Sequence, residues 1–304
     1  MAEFIPLAAV TPPTDPAQGE AGTRPRRPAW LKARAPMGES YRDVLALMRE
    51  QGLHTVCEEA RCPNIGECWN QRTATFLLLG DTCTRGCRYC AIGKGKPKPL
   101  DEQEPERIAA SVAHLRLNHA VLTSVNRDDQ PDGGAHIFAR SIELIRQQVT
   151  DCTIEVLIPD FDGNWAALQL VLAARPDVLN HNIETVPRIF RRFRPRATFD
   201  QSIELLARAR AFDANLITKS GMMVGAGETN AEVLAVLDAL RTADVQVLTI
   251  GQYLAPDSSY WPMDRYVTPA EFALFKAEAL RRGFRHVESS PLVRSSYHAH
   301  AHIQ

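Results

Sequence analysis

From residue 73 onward the chain alternates between short apolar runs and longer amphipathic stretches. The runs are rich in Val, Ile, Leu and Thr, which favours strands, and they occupy residues 75–79, 120–125, 154–158, 178–183, 217–224 and 247–250. The stretches between them have helical spacing, at 105–117, 135–149, 165–174, 199–211, 230–243 and 269–282. This repeated order predicts an α/β protein with a parallel sheet and helices outside it.

Six strand–helix units over this length predict a partial or complete β/α barrel, with a doubly wound open sheet as the alternative. No G-x-G-x-x-G motif follows a strand, so the pattern does not indicate dinucleotide binding. In a β/α barrel the chemistry lies on the loops after the carboxyl ends of the strands. Upstream of the barrel, residues 41–51 have helical spacing, and Gly52 is expected to end that helix.

Composition narrows the class of protein but not its activity. The 304 residues are 45% hydrophobic and 23% charged, with a formal net charge of -1, so no nucleic-acid or membrane-surface partner is expected. No apolar run approaches the roughly 20 residues that span a bilayer. The N-terminus lacks the charged start and apolar core of a secretory signal, which predicts a cytoplasmic protein.

The first residues form an arm rich in Pro and small polar residues. A basic stretch closes this arm, and it is either a solvated surface or a contact for an acidic partner protein: Arg24, Arg26, Arg27, Lys32 and Arg34.

Six of the seven cysteines fall into two triplets. Cys57, Cys62 and Cys68 are spaced Cys-x4-Cys-x5-Cys, and the second triplet, spaced Cys-x3-Cys-x2-Cys, is Cys83, Cys87 and Cys90. In a cytoplasmic protein such clusters indicate metal ligands rather than disulfides. Thiolates favour iron–sulfur clusters, zinc or Cu(I). Three thiolates leave one position of a [4Fe–4S] cluster open, whereas a structural zinc site takes four ligands.

The second triplet follows the first predicted barrel strand, within GDTCTRGCRYC. It resembles the signature of the radical S-adenosylmethionine (SAM) superfamily, in which an aromatic residue, here Tyr89, precedes the last cysteine. The resemblance implies that SAM binds the open iron of this cluster and is cleaved there. A zinc knuckle is the alternative interpretation of the spacing alone.

The first triplet resembles the auxiliary-cluster motif of the lipoyl synthase family. The resemblance covers residues 28 to 299 and includes VLTSVNRDD, EVLIPDF, NHNIETV, TKSGMMVGAGET, LTIGQYL and PLVRSSYHA. It implies a second [4Fe–4S] cluster whose fourth ligand is a serine of RSSY, which we assign to Ser296, with Ser295 as the alternative. Arg294 is expected to assist by polarising the hydroxyl. One departure is Met in place of a usual Leu in GMMVGAGE, which keeps volume and apolarity.

The family resemblance implies a radical SAM sulfurtransferase that inserts two sulfur atoms, at C6 and C8 of a protein-bound octanoyl-lysine chain. The expected cofactors are two 4Fe-4S clusters and SAM. The expected partners are octanoylated carriers (lipoyl domains of 2-oxoacid dehydrogenases and the glycine-cleavage H protein), an electron donor such as flavodoxin or ferredoxin, and a cluster-repair protein. Another sulfur-inserting radical SAM enzyme and an iron–sulfur electron carrier are the alternatives.

The expected organisation is an arm at 1–35, an auxiliary-cluster segment at 36–72, a barrel at 73–285 and a C-terminal segment at 286–304. Polar residues near predicted strand ends are candidates for SAM contacts or, equally, for rim ion pairs and caps: Asn126, Asn182, Glu184 and Lys219. Cys152 is expected to be a buried structural thiol. The alternating His298, His300 and His302 are interpreted as incidental.

Overall fold

The computed structural model describes residues 27–32, 38–70, 75–297 and 299. The chain divides into two compact units, Met1–Lys32 and Ala33–Gln304. The described part of the first unit is a turn in which the Leu31 amide donates to the Pro28 carbonyl at 3.1 Å. Three arginines of the basic stretch and the alternating histidines lie outside the described residues: Arg24, Arg26, Arg34, His298, His300 and His302.

The barrel is preceded by short elements that carry the first cysteine triplet. Helix α1 (Glu39–Glu50) confirms the predicted upstream helix, and Gly52 (φ 59°) follows its end. The next elements are strand β1 (His54–Thr55) and helices α2 (Val56–Glu59) and α3 (Ile65–Asn70). Trp69 of α3 is fully buried, with its ring 5.0 Å from that of Tyr41 on α1. This aromatic contact fixes α3 against α1, where periodicity predicted no helix.

The barrel strands lie close to their predicted positions: β2 (Thr75–Leu78), β5 (His119–Ser124), β6 (Thr153–Leu157), β7 (Val178–Asn180), β8 (Ile217–Val224) and β9 (Val247–Gln252). The six predicted helices are also present: α4 (Glu104–Leu115), α5 (Ala135–Gln148), α6 (Trp165–Ala173), α8 (Phe199–Phe212), α9 (Asn230–Thr242) and α10 (Pro269–Arg281). Elements that the periodicity did not indicate are β3 (Thr82–Cys83), β4 (Gly93–Lys94), α7 (Pro187–Phe193) and β10 (His286–Ser289).

Strand order decides between the barrel and the open sheet. The eight-stranded sheet runs β1-β2-β5-β6-β7-β8-β9-β10, with β1 antiparallel to β2 and the remaining pairs parallel. Each barrel strand therefore pairs with the next one along the chain, and the order never reverses as it does in a doubly wound sheet. Within the described residues no ladder joins β10 to β1. The fold is the partial TIM-type barrel that the six units predicted, extended by one more parallel strand.

Local sequence explains where the barrel helices begin. Helices α9 and α10 both start with a capping box. The hydroxyl of the threonine before the helix accepts a hydrogen bond from the third helical amide, and the glutamate side chain at that third position accepts one from the threonine amide. Thr229 and Glu232 form the first box, directly before the helix predicted at 230–243. Among the described helices, none has the length and apolar character that crossing a membrane requires.

A charged pair lies inside the barrel at the level of the β6 and β8 centres. Lys219 Nζ lies 2.7 and 2.9 Å from the two carboxylate oxygens of Glu155, and both side chains are fully buried. Asn180 donates to the same carboxylate at 3.1 Å. Burial would raise the pKa of Glu155, but the adjacent ammonium outweighs it and holds that pKa at about 2. The pair is therefore ionised, and each charge depends on the other.

Candidate active site

The second cysteine triplet lies on the loop that leaves β2 at its carboxyl end, as topology predicted. Cys83 ends β3, and its Sγ accepts the backbone amides of Arg85 at 3.4 Å and Asn126 at 3.3 Å. The Cys90 amide donates to the Cys87 carbonyl at 3.3 Å, which makes the turn between the last two cysteines. The backbone around Cys83 thus already points hydrogen-bond donors at sulfur.

The thiols of this triplet share an apolar environment. Burial and then the neighbouring Cys87 and Cys83 raise the pKa of Cys90 to about 12. Burial also raises the pKa of Cys87, against the lowering effect of Arg194. Three thiolates gathered here are unfavourable without a positive centre to bind them. The donor set therefore fits a thiophilic metal centre.

Arg85, between the first two cysteines, is buried and clamps the loop to the barrel. Its guanidinium contacts the carboxylate of Asp128 through Nε and Nη2 at 2.8 to 3.1 Å. Nη1 contacts Asp160 at 2.6 Å, and Nη2 reaches Asp162 at 3.4 Å. Asp128, two residues after the predicted strand-end candidate Asn126, therefore makes an ion pair. Bidentate guanidinium–carboxylate contacts fix direction as well as distance, so they set the path of the loop.

The sequence interpretation missed a second buried arginine beneath this loop. Arg194, just after α7, contacts Asp160 at 3.4 Å and donates to the Asn182 carbonyl at 3.1 Å. Arg194 also borders His181. Burial and then the charge of Arg194 lower the pKa of His181 to about 4, so this imidazole is neutral. Asp160 follows β6 directly, and the same strand-end rule that selected Asn126 and Asn182 would have found it.

The first triplet lies on α2 and α3, against the edge strand β1. Cys57 belongs to α2 and Cys68 to α3, while Cys62 lies between the helices. Burial and then Cys62 raise the pKa of Cys57 to about 11, and burial and then Cys57 raise that of Cys68 to about 12. The three thiols are thus mutual neighbours in a desolvated setting, like those of the second triplet.

The C-terminal segment packs against this first triplet. Asn64 donates to the Leu292 carbonyl at 2.7 Å, and the Tyr297 hydroxyl lies 3.3 Å from the Glu67 carboxylate. Arg294 is partly buried; desolvation lowers its pKa, and the Cys62 thiolate opposes that effect. Within the described residues, Arg294 has no carboxylate within ion-pair distance. An anionic cluster beside Cys62 would balance this cation, so the RSSY segment fits such a group.

Ser295 and Ser296 have different surroundings. The Ser295 hydroxyl donates to Asn182 Oδ1 at 2.9 Å, on the loop after β7. Gly221 of β8 permits this approach, because a Cβ there would lie 2.7 Å from Asn182 Oδ1 and 3.0 Å from Ser295 Oγ. The Ser296 carbonyl accepts the Ala299 amide at 3.4 Å. The Ser295 hydroxyl is therefore engaged toward the barrel, whereas the contact given for Ser296 is made by its backbone.

Asn182 and Glu184 lie between the RSSY segment and the second triplet. Glu184 has φ 65°, a strained conformation for a residue with a side chain, held by its amide to Gly221 and its carbonyl to Met223. Burial raises the pKa of its carboxyl, and Arg194, Asn182 and Tyr89 oppose that effect. Tyr89 precedes Cys90 and stacks on Phe193 with the ring centroids 4.6 Å apart. Polar residues thus connect the RSSY segment to the second triplet across the barrel mouth.

Each triplet offers three neighbouring thiols, which influence one another's pKa values. In the described part of the chain, no group of three His, Cys, Asp or Glu side chains is arranged to hold a single metal ion. A four-iron cluster takes one thiolate per iron, so three thiols can serve three of its irons.

Comparison with known proteins identifies the family. The radical SAM superfamily model matches residues 77–240, and the model for the N-terminal domain of lipoyl synthase matches residues 14–62. A lipoyl synthase from Chloroflexus aggregans is 77% identical over 100% of this chain and 98% of its own length. The chain belongs to the lipoyl synthase family. A more distant lipoyl synthase from Koribacter versatilis is 57% identical over 90% of each chain.

Solved structures support the fold of this lipoyl synthase family member. Methylornithine synthase matches with a TM-score of 0.53 at 14% identity, over 72% of each chain. SuiB of Streptococcus suis, solved with S-adenosylmethionine, matches with a TM-score of 0.56 at 8% identity, over 84% of this chain and 58% of that one. At such identity the likeness shows the barrel alone. Family membership confirms the expected cofactors, SAM and 4Fe–4S clusters.

Proposed function

We propose that this lipoyl synthase inserts sulfur at C6 and C8 of an octanoyl-lysine chain held between its two cysteine triplets. The observation that carries the geometry is the C-terminal segment, which contacts the first triplet through Asn64 and Glu67 and reaches the barrel mouth through Ser295. When bound, the clusters and SAM supply an electron, a 5′-deoxyadenosyl radical that removes hydrogen from the alkyl carbon, and the sulfur. The chain's residues bind and orient these groups and exclude water.

The proposed ligands are seven side chains. Those of the SAM-binding cluster are Cys83, Cys87 and Cys90, which leave one iron open to SAM. Those of the auxiliary cluster are Cys57, Cys62, Cys68 and Ser296. The contact of Ser295 with Asn182 supports the choice of Ser296, because an engaged hydroxyl is a poorer ligand. Arg294 is proposed to polarise the serine and to balance cluster charge.

Asn126, Asn182 and Glu184 remain the proposed SAM contacts. Three contacts support this role: the backbone amide of Asn126 donates to Cys83 Sγ, Asn182 contacts Ser295, and Glu184 borders Tyr89, which precedes Cys90. Lys219 was proposed on the same strand-end argument. Its ammonium pairs with Glu155 inside the barrel, which supports an indirect role in which Lys219 holds the barrel interior beneath the SAM site.

The proposed partners are octanoylated lipoyl domains, the glycine-cleavage H protein, a flavodoxin or ferredoxin as electron donor, and a cluster-repair protein. The proposed location is the cytoplasm. The test of function uses an octanoyl-lysine peptide incubated anaerobically with reconstituted protein, SAM and a reductant. Mass spectrometry is expected to show two added sulfur atoms, with 5′-deoxyadenosine formed in parallel. An unmodified peptide from protein that carries its full iron, or protein that holds zinc and no iron, would refute the proposal.

Ser296→Ala is expected to lower the yield of sulfur-inserted product at least about tenfold while 5′-deoxyadenosine still forms, because the auxiliary cluster loses its fourth ligand. Ser295→Ala is the matched control and is expected to keep the auxiliary cluster, since only the bond to Asn182 is removed. Iron content and electron paramagnetic resonance of the reconstituted variants report the cluster directly. The reverse result, with cluster loss only in Ser295→Ala, would move the ligand role to Ser295.

A further inference from the structure

Exposed cations surround the second triplet's loop. Arg88 lies between Cys87 and Cys90, and Lys94 pairs in register with Cys83 across β3 and β4. Arg191 and Arg192 form the basic last turn of α7, and the amide of Arg88 donates to the Phe193 carbonyl at the end of that helix. These four exposed side chains form what we call the loop-side basic patch: Arg88, Lys94, Arg191 and Arg192.

Two aromatic rings hold this patch in place. The guanidinium groups of Arg88 and Arg192 both lie 5.3 Å from the Trp261 ring centroid, and Lys94 Nζ lies 5.2 Å from that of Tyr260. Trp261 is only 7% exposed, its indole N–H donates to the Ala226 carbonyl at 2.9 Å, and its amide donates to the Arg88 carbonyl at 2.7 Å. Cation–π contacts with these two rings therefore position three of the four cations: Arg88, Lys94 and Arg192.

Carboxylates do not neutralise this patch. Within the described residues, none of its four cations has a carboxylate within ion-pair distance. Elsewhere on the surface exposed arginines do have partners, such as Arg188 with Glu232, Arg208 with Glu204 and Arg140 with Glu106. Because the whole chain has a net charge of -1, this local excess of positive charge is a feature of one surface rather than of the composition.

We propose that the loop-side basic patch is the docking surface for an acidic one-electron carrier protein that reduces the cluster held by Cys83, Cys87 and Cys90. The inference rests on the proposed function, which needs an external electron at this cluster. The patch is built on the ligand loop itself, so a donor seated there approaches the cluster more closely than one on the outer helices. Unpaired cations also steer an acidic protein to the site and raise its association rate.

The geometry favours an electron carrier over the acyl-carrier protein. An octanoyl chain has to reach the space between the two triplets, where Ser295 contacts Asn182. An electron carrier needs only a brief contact beside the ligand loop, and such encounters use small, charge-guided interfaces. A small patch of cations around two aromatic rings matches that second requirement.

The test compares two reductants on the reconstituted full-length protein. The variant Lys94→Glu/Arg192→Glu is assayed for 5′-deoxyadenosine formation and octanoyl-peptide conversion, once with dithionite and once with a reduced acidic flavodoxin. The flavodoxin-driven rate is expected to fall on the order of tenfold or more, and the dithionite-driven rate to stay within about twofold of the wild type. Raising the salt concentration is expected to lower the wild-type flavodoxin rate towards that of the variant.

The matched control is Arg116→Glu/Arg175→Glu, which makes the same change in charge at exposed turns after α4 and α6, at the opposite end of the barrel. It is expected to keep both rates. An equal loss in the control, or an unchanged flavodoxin rate in the patch variant, overturns the proposal. If the patch variant loses activity with both reductants when an octanoylated lipoyl domain is the substrate, the patch binds the acyl carrier instead. Wild-type protein that is inactive with dithionite contradicts the proposed function itself.

Discussion

Replacing Cys62 by alanine is expected to stop sulfur insertion while SAM cleavage continues, whereas Cys87→Ala is expected to stop both. The two cysteines belong to separate sites: Cys62 lies between α2 and α3 beside Arg294, and Cys87 lies on the loop after β2 beside Arg194. Loss of one thiolate from a three-thiolate site removes the cluster's main anchorage. In each variant, the yield of every product that depends on the lost cluster is expected to fall by at least about a thousandfold. That fall corresponds to about 4 kcal/mol of activation free energy.

The measurement for this pair is simultaneous quantification of 5′-deoxyadenosine and sulfur-containing peptide by mass spectrometry, with iron content determined on the same samples. Cys152→Ala is the matched control, because this thiol is 1% exposed just before β6 and belongs to neither triplet. It is expected to keep both activities. Lipoyl product from Cys62→Ala protein would show that the first triplet is not the sulfur donor.

Lys219→Met is expected to destabilise the protein by roughly 3–5 kcal/mol, because it leaves the Glu155 carboxylate buried without its counter-ion. Domain stabilities are typically about 5–15 kcal/mol, so this loss is large. The double variant Glu155→Gln/Lys219→Met is expected to recover most of the loss, since the neutral amide can still accept from Asn180. Denaturant midpoints measured anaerobically on the reconstituted proteins provide the comparison.

Lys276→Met, on the partly exposed face of α10, is the control for removal of a lysine outside the barrel interior, and we expect an effect within about 0.5 kcal/mol. If Lys219→Met were as stable as the wild type, the buried pair would not be the ionised one described above.

The low pKa of Glu155 also makes the stability of the protein depend on pH. Its stabilising contribution is present above the unfolded-state value of about 4 and is lost as the pH falls towards 2.

Periodicity predicted the barrel because each of its strands is short, apolar and separated from the next by an amphipathic helix. It missed α7, since a seven-residue helix is too short to show a period, and β10, since its sequence HVES has only one apolar residue. It also placed β10 in the C-terminal segment. The register with β9 that makes His286–Ser289 a strand is a tertiary contact, which no local pattern contains.

Site residues were predictable where chemistry fixes their type. The cysteine triplets are read directly from spacing, and the family resemblance supplied RSSY. The cluster of Arg85, Asp160 and Arg194 was not predicted, because its partners are separated by 75 and 34 residues and their types are common on protein surfaces. The register of β6 and the path of α7 bring them together. The contact of Ser295 with Asn182, which supports the proposal of Ser296 as the ligand, is likewise a tertiary contact that no local pattern contains.

The C-terminal segment packs against the first triplet from far along the chain. Asn64 and its partner Leu292 are 228 residues apart, and Glu67 and its partner Tyr297 are 230 apart. During synthesis the ligand loop and its supporting arginines are complete long before these last residues leave the ribosome. A nascent chain can therefore assemble its radical-generating half while its sulfur-donating half still lacks a wall. The site of the first triplet is consequently completed last, although its cysteines come first in the chain.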